Sequence, residues 1–444
     1  MGINNEISYI RKRFNAVLKD KSNGFCRIFL FAMLKYLKYF LYGDEHMKNY
    51  KLHVSEGFKD TYGNEMLVKK EIEARVLNVF ESYGYELIKT PTLEYIDVYS
   101  LDGMQKPDLY NLINRQGEVL ALCNDMTASI ARFVCSNNSL AKGAKKYCYI
   151  ADTFRYPRLY QGKNHQFLQA GVEFIGAKGL WADIATIALA SETMRHCNVC
   201  DFTIHLGSSS FLSQLFKDFG IEGDVKKEIY SLIDSKDYVT LRGLLSKTLN
   251  EDKASFLIDL MLKGGRLKYL ENLIKELEGM TSLNELLYLK DLYNHLNDLG
   301  ISNIIFDFSI YSYAEYYTGI IFNFYVEGAK KSVISGGRCD KLFKHYGKDL
   351  EDIGFGLDID VLASYCLSNH LIDVSHKKYL SISDKESFIL EHKENISLRE
   401  KGIIVSEVPF ESKELALDYA KENGFDAVIE YKNNACTLWE VEKC

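Results

Sequence analysis

The 444-residue chain has no surplus of positive charge: 54 Lys and Arg stand against 61 Asp and Glu, a net charge of -7 with a pI of about 5.9. That excludes a global basic field drawing it to nucleic-acid phosphates. It also lacks the cysteine spacing of a disulfide framework, its ten cysteines being scattered, as suits a reducing compartment. The one CxxC, Cys197 and Cys200, has no second pair or spaced histidines to complete a zinc site, so ordinary partly buried thiols are expected and no metal. No apolar run reaches the ~20 residues of a membrane span. The nearest approach, Phe25 to Tyr42, is interrupted by Arg27, Lys35 and Lys38 and has no signal-peptidase-like site after it. What remains is an ordinary globular composition, 47% hydrophobic and 26% charged, long enough for two or three domains.

From Glu65 to Tyr83 apolar residues recur at helical spacing, with Met66, Ile72, Val76, Val79 and Phe80 available for one buried face and Gly84 as the stop. GYELIKTPTLEY follows as a strand interrupted by Pro91. Strand-like runs (VLALCND, KYCYIADTF, NHQFLQAGVEFIG, DFTIHLG) then alternate with helical ones, as in an α+β domain on an antiparallel sheet. Residues 209–299 are helical in pattern and carry no chemical motif, so a helical insertion is expected. The sheet resumes at NIIFDFSIY and GIIFNFYVEG, with a turn expected at the glycines of SGGRCD. Residues 376–444 suggest a small α/β unit. It holds 10 Lys/Arg against 14 Asp/Glu, a difference of -4, unsuited to gripping RNA phosphates.

Five blocks carry residues suited to a polar ligand. LALCNDMTASIAR (Leu120 to Arg132) offers Asp125 and Thr127, a carboxylate and a hydroxyl fit to cradle an ammonium group; taken alone this is equally a capped turn. FRYPRLYQGKNHQFLQAGVEFIG (Phe154 to Gly176) offers Arg155, Gln169 and Glu173, the last two spaced to share one strand face. A Gln or Glu alone on a strand ordinarily faces solvent. FDFSIYSYAEYYTGIIF (Phe306 to Phe322) contributes Tyr316 and Tyr317, which in an aromatic strand are ordinarily core. SGGRCD (Ser335 to Asp340) lets backbone approach a ligand but is not a GxxxxGK[ST] phosphate loop, and IGFGLDIDVL (Ile353 to Leu362) closes the series.

In this order, over roughly residues 54 to 365, the blocks resemble histidyl-tRNA synthetase, a class II aminoacyl-tRNA synthetase. MKNYKLHVSEGFKDTYGNE from Met47 is similar to the usual start of that domain, so residues 1–46 are expected to be an extension, not native or poorly ordered. The resemblance implies an antiparallel class II sheet with flanking helices in residues 47–370, the 209–299 insertion within it and a small C-terminal α/β domain at 376–444. It also implies that Asp125, Thr127, Gln169, Glu173, Tyr316 and Tyr317 bind histidine, with Arg155 as a residual anion contact. Three departures fall on ATP handling or catalysis: Ser312 replaces the family's reactive arginine, Pro157 a carboxylate and Val361 an arginine. A neutral hydroxyl, a ring and a methyl pair cannot stabilise phosphoryl charge as a bidentate guanidinium does. Keeping the amino-acid half while losing the nucleotide half resembles the synthetase-like regulatory subunits of ATP phosphoribosyltransferase. That family implies a non-catalytic, cofactor-free cytoplasmic subunit, a homodimer within a hetero-oligomer. It is required by the short catalytic subunit and mediates feedback by L-histidine in the first step of histidine biosynthesis, without tRNA or membrane. The alternatives are a histidine sensor with another partner, or an atypical active synthetase using Lys163 or Arg338 as surrogate cations.

Overall fold

The computed structural model describes residues 50–100, 109–137, 143–156, 164–310, 317–410 and 412–441. The expected extension at residues 1–46, with its apolar stretch, lies outside them. The chain divides into two units, Met1–Asp60 and Thr61–Cys444. In the first, Tyr50–Leu52 is a short 3-10 turn.

The second unit opens on α1 (Gly63–Ser82), whose buried stripe is Val68, Ile72, Val76, Val79 and Phe80; Met66 is only half-buried, and Val68 takes its expected place. Gly84, at φ +80°, ends the helix in a conformation that favours glycine. Pro91 does more than interrupt one strand. The residues before it form β1 (Glu86–Leu87) at the edge of the large sheet, and those after it form β2 (Leu93–Tyr95) in a separate small sheet with β3 (Asn111–Ile113) and β4 (Val119–Leu122).

After α2 (Met126–Ser136) come the two longest strands, β5 (Lys145–Phe154) and β6 (Gln166–Ile175), then α3 (Gly179–His196) and β7 (Thr203–Ser208). Six helices follow: α4 (Ser209–Asp218), α5 (Gly223–Asp234), α6 (Tyr238–Thr248), α7 (Glu251–Leu262), α8 (Leu267–Glu276) and α9 (Leu283–Asp298). The last of them, α9, packs against α3, α4 and α8 and buries Leu286, Leu289, Leu292 and Leu296 fully, at i, i+3, i+6 and i+10. The chain returns through β8 (Ile304–Phe306), β9 (Ile320–Tyr325), β10 (Ile334–Arg338), α10 (Leu342–His345), β11 (Asp352–Asp358) and α11 (Ile359–Ser368).

The large sheet has the order β1-β5-β6-β11-β10-β9-β7-β8. Its five inner pairings are antiparallel and its two edge pairings, β1 with β5 and β7 with β8, are parallel. Contrary to expectation, the glycines of SGGRCD form no turn but lie within β10, in the middle of this sheet. One sheet face, carrying Cys148, Ala170, Val172, Phe355, Leu357 and Phe322, belongs to the main core with α1, α3 and α11. The other face, which bears Tyr149, Gln169 and Glu173, meets α2 and α10 in a second, smaller core.

The C-terminal segment folds as β12 (Lys378–Ser383), α12 (Phe388–Glu400), β13 (Ile404–Glu407), α13 (Lys413–Glu422), β14 (Ala427–Lys432) and β15 (Ala435–Glu440), in the sheet order β13-β12-β14-β15. The edge strand β15 is exposed at every position and was not expected from the sequence.

Candidate functional site

Register places the expected residues on one face of three adjacent strands. Tyr147, Glu173 and Gly354 are partners across β5, β6 and β11, and so are Tyr149, Gly171 and Gly356. Gln169 stands one step further along β6, opposite Ala151 and Asp358. On this face Gly171, Gly337, Gly354 and Gly356 leave a floor of bare backbone. A Cβ at Gly354 would overlap the Glu173 carboxylate, one at Gly171 the Tyr149 hydroxyl, one at Gly356 the Gln169 amide and one at Gly337 the Tyr317 ring. The side chains lie flat over the floor because glycine gives them room.

They are tied to each other. Tyr149 Oη donates to Gln169 Oε1 at 3.0 Å, and Thr127 Oγ1 donates to Glu173 Oε1 at 2.5 Å. Asp125 is the N-cap of α2, its Oδ1 accepting from the Thr127 N–H at 3.0 Å, as the helix-cap alternative expects. Tyr317 packs into the smaller core beside the Gly337 floor. Thus Asp125, Thr127, Gln169, Glu173 and Tyr317 come together around one patch of sheet. Tyr316 and Ser312 lie outside the described residues, as do Pro157 and Lys163.

Burial dominates the electrostatics. Glu173, 3% exposed, has its carboxyl held well above the usual range, by burial first and then by the charge of Asp352. The Tyr149 hydroxyl is pushed up by burial and then by Glu173, and that of Tyr317 by burial and then by Cys339, so both remain protonated donors at neutral pH. Asp352, which the sequence reading passed over, is fully buried at the start of β11 on the pocket face, a diagonal neighbour of Glu173. Its carboxyl is pushed up to about 7, by burial first, with Asp340 adding to the rise and Glu173 and Arg338 opposing it.

A carboxyl raised in the folded state binds protons more tightly there than in the unfolded chain. Its contribution is therefore full below the unfolded value near 4 and is lost as pH climbs towards 7. Asp352→Asn should gain stability relative to the parent between pH 4 and 7 and keep a constant advantage above. The gain is at most on the order of 4 kcal/mol, readable as a melting-temperature difference that grows with pH. A difference that stays flat from pH 4 to 8 would contradict this.

The residues around Asp358, Asp360 and Val361 are engaged in the protein's own contacts. Asp360, at the acidic motif position, is ion-paired with buried Lys69 of α1 at 2.7 Å and accepts from the Leu168 N–H at 3.3 Å. Val361 sits in the first turn of α11, its N–H donating to the Asp358 cap at 3.0 Å. Lys331 pairs with Asp358 at 2.5 Å, and its Nζ lies 5.2 Å from the centre of the Phe167 ring. Arg155 approaches the same ring at 5.2 Å and donates from Nε to the Asn124 carbonyl at 3.1 Å. His165 bonds to the Tyr110 hydroxyl and packs on Tyr156, within an aromatic cluster. Arg338, considered as a surrogate cation, points through the opposite face: it pairs with Asp183 of α3 and donates to the Ala177 and Gly179 carbonyls at 2.9 and 3.2 Å. Of the CxxC pair, Cys197 is buried and Cys200 exposed.

The histidyl-tRNA synthetase family profile matches residues 57–362. The ATP phosphoribosyltransferase regulatory subunit of Clostridium kluyveri is 30% identical over 390 residues, 84% of this chain and 97% of that protein. Its counterpart in Caldanaerobacter subterraneus subsp. tengcongensis is 33% identical over 315 residues, 70% of this chain and 81% of that one. The chain belongs to the synthetase-like family of ATP phosphoribosyltransferase regulatory subunits. A solved structure from Bacillus halodurans described as an ATP phosphoribosyltransferase regulatory subunit/histidyl-tRNA synthetase aligns with a TM-score of 0.75 at 25% identity, covering 87% of this chain and all of that one. A Nostoc histidyl-tRNA synthetase aligns at 0.73 and 20% identity, a likeness of fold alone. These relatives are named regulatory, which agrees with reading a regulatory-subunit family member, and not a catalyst, in the three losses at Pro157, Ser312 and Val361.

Proposed function

We propose that this chain is the non-catalytic, cytoplasmic partner of a short ATP phosphoribosyltransferase catalytic subunit, needed for its activity, and that it transmits feedback by L-histidine. Histidine would occupy the glycine-floored patch, with Asp125, Thr127, Gln169, Glu173, Tyr316 and Tyr317 as its contacts. The observation that carries this reading is the asymmetry of the site. The amino-acid side keeps a buried, mutually bonded set of polar groups, while Asp358 and Asp360 on the nucleotide side are consumed by Lys331 and Lys69. Histidine would act through the difference in its affinity for two states of the assembly, since a ligand shifts an equilibrium by no more than that difference.

Homodimerisation through the small sheet is part of the proposal. Leu93, Tyr95 and Leu112 share one face by register with Leu120 and Leu122, and they are 42%, 55% and 44% exposed. A contiguous apolar sheet face of this kind is the usual mark of an interface.

The purified chain should bind L-histidine by calorimetry, switch on phosphoribosyl transfer when added to a short catalytic subunit, and lose that effect as histidine is added. It should give no histidine-dependent ATP–pyrophosphate exchange and charge no tRNA. Robust exchange would establish the active-synthetase alternative instead, and histidine binding without any effect on the catalytic subunit would favour a sensor for another partner.

A further inference from the structure

Asp352 is fully buried, and neither of its carboxylate oxygens has a hydrogen-bond partner. Of the described residues, the Ile353 N–H and the Glu173 carboxyl approach them without a well-formed bond. Unsatisfied buried carboxylates are rare because each costs its full desolvation penalty. The groups around it do not relieve that cost. Asp340 is a second acid, whose Oδ1 already accepts the Asp352 N–H at 3.2 Å. Arg338 adds some attraction from β10 but spends its donors on Asp183, Asp340, Ala177 and Gly179. Cys339 and Tyr85 feel the Asp352 charge as neutral neighbours, and from α2 Asp125 adds a further negative charge near Glu173.

What faces Asp352 across the strands is Glu173. Asp352 partners Ile175 and Glu173 partners Gly354, so the two carboxyls are diagonal neighbours on one face, and the missing side chain of Gly354 leaves nothing between Glu173 and β11. Two buried carboxyls in this diagonal arrangement can share one proton, which leaves the pair with one net negative charge. Glu173 alone, being buried, would simply be a neutral acid.

We propose that Asp352 is a specificity-determining residue of this pocket: with Glu173 it forms a proton-sharing acid pair that selects a ligand ring able to accept a proton. A basic imidazole arriving over the pair binds with one proton taken from solvent, the pair keeping its own, and becomes the counter-cation that the buried charge lacks. A ring of the same shape but little basicity leaves that charge uncompensated. The inference rests on the proposal that the pocket binds histidine, and it adds a residue and a reason for the choice of ring. Asp352 is registered with Ile175, two residues beyond Glu173 on the same strand face, so it acts through Glu173 and is a positioning residue.

The test compares L-histidine with 2-fluoro-L-histidine, nearly isosteric but far less basic, by calorimetry at pH 7.5 on the full-length chain and on Asp352→Asn. The parent should prefer histidine by about 100-fold. In Asp352→Asn that preference should fall at least tenfold, through weaker histidine binding, while 2-fluoro-histidine binds within about threefold of its parent value. Retained binding of the fluoro compound also reports an intact pocket. Asp352→Ala, which only removes atoms, should give the same collapse of the ratio if the asparagine fits poorly. An unchanged ratio in both variants, with histidine still bound, overturns the role of Asp352 alone. If the parent binds neither compound, the histidine reading falls and this inference falls with it.

Discussion

Glu173→Ala is expected to weaken L-histidine binding by about 10²- to 10³-fold while leaving the fold intact, because a buried polar partner of the ligand disappears and the donors aimed at it are left unpaired. Thr127 is one of them, since its hydroxyl donates to Glu173 and has no other bond in the site. Directly across β11 the partner of Glu173 is Gly354, which has no side chain to take over the contact. Calorimetry on the purified variant measures the loss, and its far-ultraviolet circular dichroism should match the parent. Tyr316→Ala should also lose affinity. Unchanged affinity in both variants would move the histidine site elsewhere, with the interface between subunits the first place to look.

Arg338→Ala should cost about 3–5 kcal/mol of stability and leave little folded protein at 37 °C, for reasons unrelated to ligand binding. Arg338 is 7% exposed and Asp183 only 1%, and the ion pair joins the centre of the sheet to α3. Removing the arginine strands a buried carboxylate whose other partner is the Tyr288 hydroxyl at 2.6 Å. Burial already raises that carboxyl above its ordinary value even with the guanidinium beside it. Arg338→Met combined with Asp183→Leu should recover most of the loss, since replacing both members by apolar groups avoids an unpaired charge. Urea denaturation of the three variants checks the claim: equal midpoints for Arg338→Ala and the double variant would show that the ion pair is not the cause.

The large strands were legible because KYCYIADTF and NHQFLQAGVEFIG are long runs rich in aromatic and aliphatic residues, enough to mark the elements, although cores cover both of their faces. The spacing of Gln169 and Glu173 then put both on one face without further information. SGGRCD was misread because paired glycines usually mark a turn, whereas here they thin a central strand so that Tyr317 and Phe322 can lie against it. That is a tertiary demand, with no local trace. Asp352 was missed for a similar reason. In the sequence it is one more acid in the stretch KDLEDIGF, ordinarily a solvated turn, and its burial follows from a pairing with β6 that lies more than 170 residues away along the chain. Nor could the fate of Arg338 be read, because strand parity decides that it faces α3 and not the ligand. The strand β15 is exposed at every position and is held by its pairing with β14, a contact with no local trace.

The bare floor has a thermodynamic consequence. Side chains that line a binding site usually give up rotational freedom when a ligand arrives, roughly 0.5–1.5 kcal/mol for each flexible one immobilised. Gly171, Gly337, Gly354 and Gly356 have no such freedom to surrender, and the strands that carry them are already fixed by hydrogen bonds on both edges. A ligand settling there meets a surface whose ordering cost was met when the sheet folded, and a greater share of its contact energy is left as affinity.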